Sequence, residues 1–355
     1  MRILITGICG FAGSQIARGL LEAQSGLEIV GLDNFLRAGS ERNRATLQSA
    51  GIKVHYGDLR VAEDLENVGK VEWVIDAAAN PSVLAGLDGG NASRQLMSHN
   101  LFGTVNVLEF CKKHKAGLIL LSTSRVYSIA PLANLKLEVV DHAFQPSPGQ
   151  SWPCGSGPNG IKEDFSTAPP ISLYGTTKVC SEALALEYSQ AFGFPVWINR
   201  LGVLAGAGQF GRADQGIFSF WVHSCSAGKP LKYIGFGGRG HQVRDCLHPL
   251  DLVSVLKRQI GIAPQTGQEV TNFSGGIGNS LSLAQLHRWC EQRFRPNPVA
   301  AEGSNRPYDV PWLVLDSSKA RARFDWQPAR RWPAVLEEIA QHAEKNPNWL
   351  ELTHS

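Results

Sequence analysis

A short apolar run, Ile3–Thr6, ends in Gly7-Ile-Cys-Gly10-Phe11-Ala12-Gly13, and a helical pattern continues from Gly13 to Ala23. No other feature of the chain restricts its fold as much. Glycines between a buried strand and a helix serve a tight turn, a close backbone approach to a pyrophosphate and close helix–strand packing. The amides at the start of such a helix point at a bound phosphate, and the helix dipole favours its charge. A second strand, Glu28–Leu32, leads into Asp33, ~20 residues beyond the turn. A carboxylate in that place accepts hydrogen bonds from adenosine ribose hydroxyls and repels a 2′-phosphate, so NAD is expected over NADP.

The rest of the first half keeps the same alternation. Lys53–Tyr56, Trp73–Asp76 and Gly117–Ser122 read as further buried strands, and Ser93–His114 as a helix. Such an order predicts an α/β fold, a doubly wound parallel sheet with helices on both faces, whose ligands lie beyond the carboxyl ends of the strands. From Ser128 to Pro170 the pattern dissolves into Pro, Gly and Ser, and a long loop is expected there, lining the substrate pocket. A helix over Leu173–Phe192 and a strand over Val196–Arg200 follow, then helices over Leu252–Gly261, Leu283–Phe294 and Ala334–Glu344. The division expected is residues 1–200 as mainly a dinucleotide-binding domain, with 128–170 as a loop insertion. Residues 201–355 form mainly a smaller α/β substrate-binding lobe, interleaved with the first. Gly235-Phe-Gly237-Gly-Arg-Gly240 repeats the glycine spacing but opens no helix, and it reads as a hairpin turn between Leu231–Ile234 and Gln242–Leu247.

Composition removes several classes. With 43% hydrophobic and 18% charged residues the chain suits a globular enzyme, and a net charge of +3 gives no field for nucleic acid or a membrane surface. Seven scattered cysteines without a CxxC pair suit reduced thiols in the cytoplasm. The chain opens in a strand without a leader pattern, and no apolar run reaches the length of a membrane span. Asn-x-Ser matches at Asn91 and Asn272 are then chance matches. The ten histidines show no metal-ligand spacing, so no metal is expected, and no GxSxG elbow supports a serine hydrolase.

Tyr174-Gly-Thr-Thr-Lys178 places a phenol and an ammonium on one face at a helix start. A free phenol titrates near pH ~10, and nearby positive charge, from Lys178 or an oxidised nicotinamide, favours its phenolate. Leu121-Ser122-Thr123-Ser124 ends a strand about 50 residues earlier, which brings hydroxyls to the same edge of the sheet.

Gly7-x-x-Gly10-x-x-Gly13, Asp33-Asn34, Asp58-Leu59, Ala77-Ala78-Ala79, Asn100-x-x-Gly-Thr-x-Asn106, Ser122-Thr123 and Tyr174-x-x-x-Lys178 together resemble the extended short-chain dehydrogenases. The resemblance implies a catalytic group of Thr123, Tyr174 and Lys178, with Ser122 beside the nicotinamide. It implies cofactor contacts by Gly7, Gly10, Phe11, Ala12, Gly13, Asp33, Asn34, Ala77 and Ala79. Asp58 and Leu59 would contact adenine, and Asn100 would brace the site. Asp33-Asn-Phe-Leu-Arg37-x-Gly39, Gly157-Pro-Asn-Gly160, Asp214-Gln215-Gly216, Gln242-Val-Arg244-Asp-Cys-Leu-His248 and Asn279-Ser-Leu-Ser282 resemble the CDP-paratose 2-epimerases, also called CDP-tyvelose epimerases. That likeness implies a nucleotide-sugar epimerase holding NAD tightly, with Gln215 at the substrate and Arg244 and Arg306 on its diphosphate. A homo-oligomer, dimer or higher, is expected. UDP- or dTDP-sugar 4-epimerisation, net dehydrogenation and non-catalytic NAD(H) binding remain as alternatives. Ser124-Arg125 stands where sugar-nucleotide 4,6-dehydratases carry an Asp-Glu pair, which argues against dehydration.

Overall fold

Short β-branched runs build the middle layer of the protein. In a computed structural model, described for residues 1–87, 90, 92–264 and 269–353, seven strands form one sheet. They are β1 (Arg2–Thr6), β2 (Glu28–Asp33), β3 (Lys53–Tyr56), β4 (Trp73–Asp76), β5 (Gly117–Thr123), β6 (Val196–Leu201) and β7 (Val270–Phe273). Their order is β3-β2-β1-β4-β5-β6-β7, with every pairing parallel. Alternate residues bury on opposite faces: Ile3 and Ile5 pack with Ile16 and Trp197, Leu4 with Val107 and Leu118. This is the doubly wound, Rossmann-type sheet that the alternation predicts. Strand order reverses between β1 and β4, so Gly7 and Ala77 leave the sheet on either side of a crevice.

Several elements differ from the sequence reading. Helices over Glu41–Ser49 and Ala62–Glu66 were not expected, because each buries a single leucine, Leu47 or Leu65, too little to make a periodic pattern. The helix expected over Ser93–His114 is three segments, Ala92–Met97, a π-helical turn Ser98–Phe102, and Gly103–His114. Leu231–Ile234 and Val243–Asp245 form no hairpin. The first pairs in parallel with Val299–Glu302, and the second lies between Ser280–Ser282 and Trp312–Leu313. Asn91 lies outside the described residues; Asn272 is buried in β7.

Residues 128–170 are the largest correction. They hold a helix, Ile129–Ala133, an antiparallel pair, Leu137–Val140 with Ala143–Pro146, and two-residue strands at Ser156–Gly157 and Gly160–Ile161. Leu132, Leu135, Ile161 and Phe165 bury against Val243, Val310 and Trp312 from the second half of the chain. Gly160 (φ +124°) lies so close to that partner that a Cβ would meet the Val314 carbonyl at 2.6 Å. Apolar residues at irregular spacing leave no periodic trace, yet they bury once a distant strand is beside them.

One ion pair ties these layers together. Arg200, on β6, is bound by Glu182, on the helix Leu173–Phe192: Nη2 to Oε2 at 2.7 Å and Nε to both oxygens at 3.1 Å. The two side chains are 9% and 6% exposed. Arg200 also donates to the Glu163 carbonyl and to the Tyr127 hydroxyl, and Ser122 of β5 donates to Glu182. Removing one member of a buried pair strands the other charge, at a cost of about 3–5 kcal/mol. Glu182→Ala is therefore expected to lower the unfolding free energy by about that amount in urea titration. A loss under about 1 kcal/mol would show that Arg200 finds water or another acceptor.

Candidate active site

The turn after β1 enters a helix, Phe11–Ala23, with Gly10 as its N-cap. Gly7 adopts φ +60°, and a Cβ there would come 2.8 Å from Ala78 Cα. A Cβ on Gly13 would come 2.4 Å from the Gly7 carbonyl. The turn is thus closed tightly on itself and on the strand end carrying Ala77 and Ala79. Asp33, at the end of β2, accepts from the amides of Cys9 and Phe35, both at 2.8 Å. Burial raises its pKa, and the amide bonds from Phe35, Cys9 and Gly10 oppose that rise. Asn34 donates to Asp58 at 3.0 Å. Asp58 is held well below the usual carboxylate range by its hydrogen bonds to Arg60. The Leu59 carbonyl accepts from Asn106 at 2.6 Å.

A cavity of about 890 Å³ begins at this turn and runs past the end of β5 to residues of the second half of the chain. Phe11, Ala12, Asn34, Asp58 and Leu59 line its first part, Ser122, Thr123, Tyr174 and Lys178 its middle, and Gln215, Arg244 and Arg306 its far part. Asn100 lies behind the wall. Its side chain accepts from the Asn80 amide at 2.8 Å and donates to the Asn80 carbonyl at 3.1 Å and to Thr177 at 3.2 Å. The π-helical turn places it between the loop after β4 and the helix that carries Tyr174. A strand-end carboxylate, a turn in which a Cβ would collide and a cavity of this length fit a dinucleotide.

Tyr174 and Lys178 sit in the first two turns of the helix capped by Ser172, whose side chain accepts from the Gly175 amide. Burial raises the Tyr174 phenol, while a hydrogen bond with Thr123 and the charge of Arg125 pull it back down. Lys178 Nζ donates to the Leu121 carbonyl at 3.1 Å. Burial lowers its pKa, and the charges of Asp76 and Glu182 oppose this. Ser122, expected beside the nicotinamide, directs its hydroxyl to Glu182.

In the far part, Arg244 donates to Asp309 at 2.5 Å and to the Val243 and Val310 carbonyls. It is presented as half of an ion pair rather than as a free cation. Arg306 donates to the Ala213 carbonyl at 2.8 Å. Gln215 closes the same turn through its backbone and leaves Oε1 buried without a partner. Leu201, Gly202 and Val203 line the cavity, but no residue of 128–170 does, so that segment is not the expected pocket wall. Phe218 and Trp221 are buried in a hydrophobic cluster with Leu231 and Leu286 and also border the cavity.

Sequence reasoning missed Arg125, Asp76, Glu182 and Asp309 as members of the site. Three of them had local signals. Arg125 follows Thr123 by two residues, Asp76 immediately precedes Ala77, and Glu182 lies one helical turn beyond Lys178 on the same face. Asp309 sits in an irregular stretch without one.

The family described as "NAD dependent epimerase/dehydratase family" matches residues 3–261. This chain belongs to that family. Its cofactor is NAD, and its reaction class is that of the isomerases. CDP-paratose 2-epimerase of Salmonella typhi is 28% identical over 350 residues, covering 92% of this chain and 95% of that protein. UDP-glucuronate 4-epimerase of Thermodesulfobacterium geofontis is 26% identical over 336 residues, covering 92% and 90%. Among solved structures, UDP-glucuronic acid 4-epimerase of Bacillus cereus, in complex with UDP-glucuronic acid and NAD, superposes with a TM-score of 0.76 at 23% identity. It covers 97% of this chain and 99% of that one, and it supports the fold. Among the described residues, no helix is long and apolar enough to cross a membrane.

The closed turn makes a direct test. Gly13→Ala must push the Gly7 carbonyl aside, and NAD affinity measured by calorimetry is expected to fall about tenfold or more. Unchanged affinity would show that this turn does not hold the pyrophosphate.

Proposed function

We propose that the protein is a nucleotide-sugar epimerase working through a transient keto sugar, and that its substrate pair is CDP-paratose and CDP-tyvelose, epimerised at C2. The observation that carries the reading is that Thr123, Tyr174 and Lys178 converge on one cavity between the glycine turn and the Arg244–Arg306 region. The nucleotide sugar would lie with its diphosphate towards Arg244 and Arg306 and its base near Gln215. NAD⁺, when bound, supplies the two-electron acceptor that takes hydride from the sugar carbon and gives it back.

Tyr174 as phenolate takes the proton of the reacting sugar hydroxyl and returns it at the end of the cycle. Thr123 donates a hydrogen bond to the same oxygen. Lys178 holds the cofactor ribose, with the charges of Asp76 and Glu182 opposing the effect of its burial. A cavity of about 890 Å³ leaves room for the keto sugar to turn and present its other face. Likeness to the Salmonella typhi enzyme over nearly its whole length supports the choice of C2 and CDP. A second reading, 4-epimerisation of a UDP-uronate, has support from the likeness to UDP-glucuronate 4-epimerase. The reading further takes the enzyme as a cytoplasmic homo-oligomer.

Tyr174→Phe is expected to keep NAD and bind sugar nucleotide nearly as the wild type does, but to lose turnover by about 10²-fold or more, since only the proton acceptor is gone. Near-normal turnover in that variant would refute the base assignment. Deuterium separates the two substrate readings. With CDP-paratose labelled at C2, a primary isotope effect and retention of label in the product are expected, and label at C4 should be silent. A primary effect at C4, or faster conversion of UDP-glucuronate, would transfer the assignment to the 4-epimerase with the same three residues.

A further inference from the structure

Arg125 enters the cavity from the turn that follows β5, and its backbone is held on two sides. Its amide donates to Thr123 Oγ1 at 3.2 Å. Its carbonyl lies where a Cβ on Gly175 would come within 2.3 Å. Gly175 directly follows Tyr174, so the turn bearing Arg125 touches the first turn of the helix that carries the phenol. The two side chains border the same part of the cavity.

The guanidinium is poorly matched by the protein. Nη1 donates to the Tyr308 carbonyl at 3.4 Å, and Nη2 stands 3.9 Å from Asp309 Oδ1. That carboxylate is already taken by Arg244 at 2.5 Å and by the Val310 amide at 3.0 Å. Two guanidinium groups share one carboxylate, which leaves one positive charge over beside Tyr174. Lys178 donates to the Leu121 carbonyl at 3.1 Å and lies among Asp76 and Glu182, whose charges offset its own.

Resting on the reading of Tyr174 as the proton acceptor, we infer that Arg125 acts through Tyr174, as a fixed positive charge that adds to that of Lys178 in stabilising its phenolate. The groups acting on the phenol are Thr123 and Arg125, from the end of β5 and the turn after it, and Lys178, Arg244 and Asp309 border the same cavity. Arg125 is lowered by burial, and next by the charge of Arg244, to about 10. It therefore stays protonated at neutral pH while the sugar proton moves to the Tyr174 oxygen. No proton passes through it.

The test is an ultraviolet titration of tyrosinate in protein saturated with NAD, which needs no substrate. The chain has six tyrosines, and the contribution of Tyr174 is the difference between wild type and Tyr174→Phe. In Arg125→Met that contribution is expected to move up by about one pH unit or more. Arg125→Lys, which keeps the charge, should restore most of it. Unchanged NAD content in each variant checks the fold. If Arg125→Met titrates with the wild type, the inference fails and Tyr174 remains the base. If Tyr174→Phe removes no component titrating below the ordinary tyrosine range, the base assignment itself fails.

Discussion

The Arg200–Glu182 pair is the interaction on which the rest of this structure depends. It joins β6 to the helix bearing Tyr174 and Lys178, and through Ser122 it reaches the end of β5. On its other side Arg200 lies over the Tyr127 ring at 5.1 Å, and the Tyr127 hydroxyl donates to Asn272 on β7. The Asn272 amide in turn donates to Glu163 Oε1, and its side chain donates to the Ile161 carbonyl. One buried charge pair thus sets the distance between the sheet edge, the reactive helix and the 128–170 segment. A buried pair contributes little net stability over an apolar pair of equal volume. What it contributes here is a single register, because any slip of helix against strand leaves a charge without its partner.

The same logic runs through the cavity. A buried phenol and a buried ammonium in the cavity wall both lose solvation, and burial pushes each towards its neutral form. The site opposes this by placing charges separately. Asp76 and Glu182 face Lys178, and Arg125 faces Tyr174. Asp309 lies between Arg125 and Arg244, which keeps two cations within one cavity without expelling either. The result is a pocket in which fixed charges of the protein oppose the desolvation of both groups.

The sheet and the dinucleotide end of the cavity were legible because each rests on a short stretch of chain. Gly7, Gly10 and Gly13 answer to one turn, Asp33 to one strand end, and Tyr174 and Lys178 to one helical face. Of the expected site residues, Asn100 alone is set back from the cavity, and it acts through Asn80 and Thr177. The pairing of Leu231–Ile234 was not legible, since its partner, Val299–Glu302, is more than sixty residues away and nothing local marks it. The 128–170 segment misled for the same reason. Its prolines and glycines describe its turns, but its burial is against Val310, Trp312 and Val314.

By itself the sequence determined the parallel sheet, the glycine turn with its carboxylate, and which side chains could do proton chemistry, because those follow from period, spacing and functional group within a few residues. Only the tertiary structure decided which cation lies near the phenol, that Arg244 arrives already paired, and that 128–170 packs against Val310 and Trp312 instead of lining the cavity. Charge–charge geometry and strand partnership are set by contacts between distant segments, and no local pattern records which of several arginines will come to rest beside Tyr174.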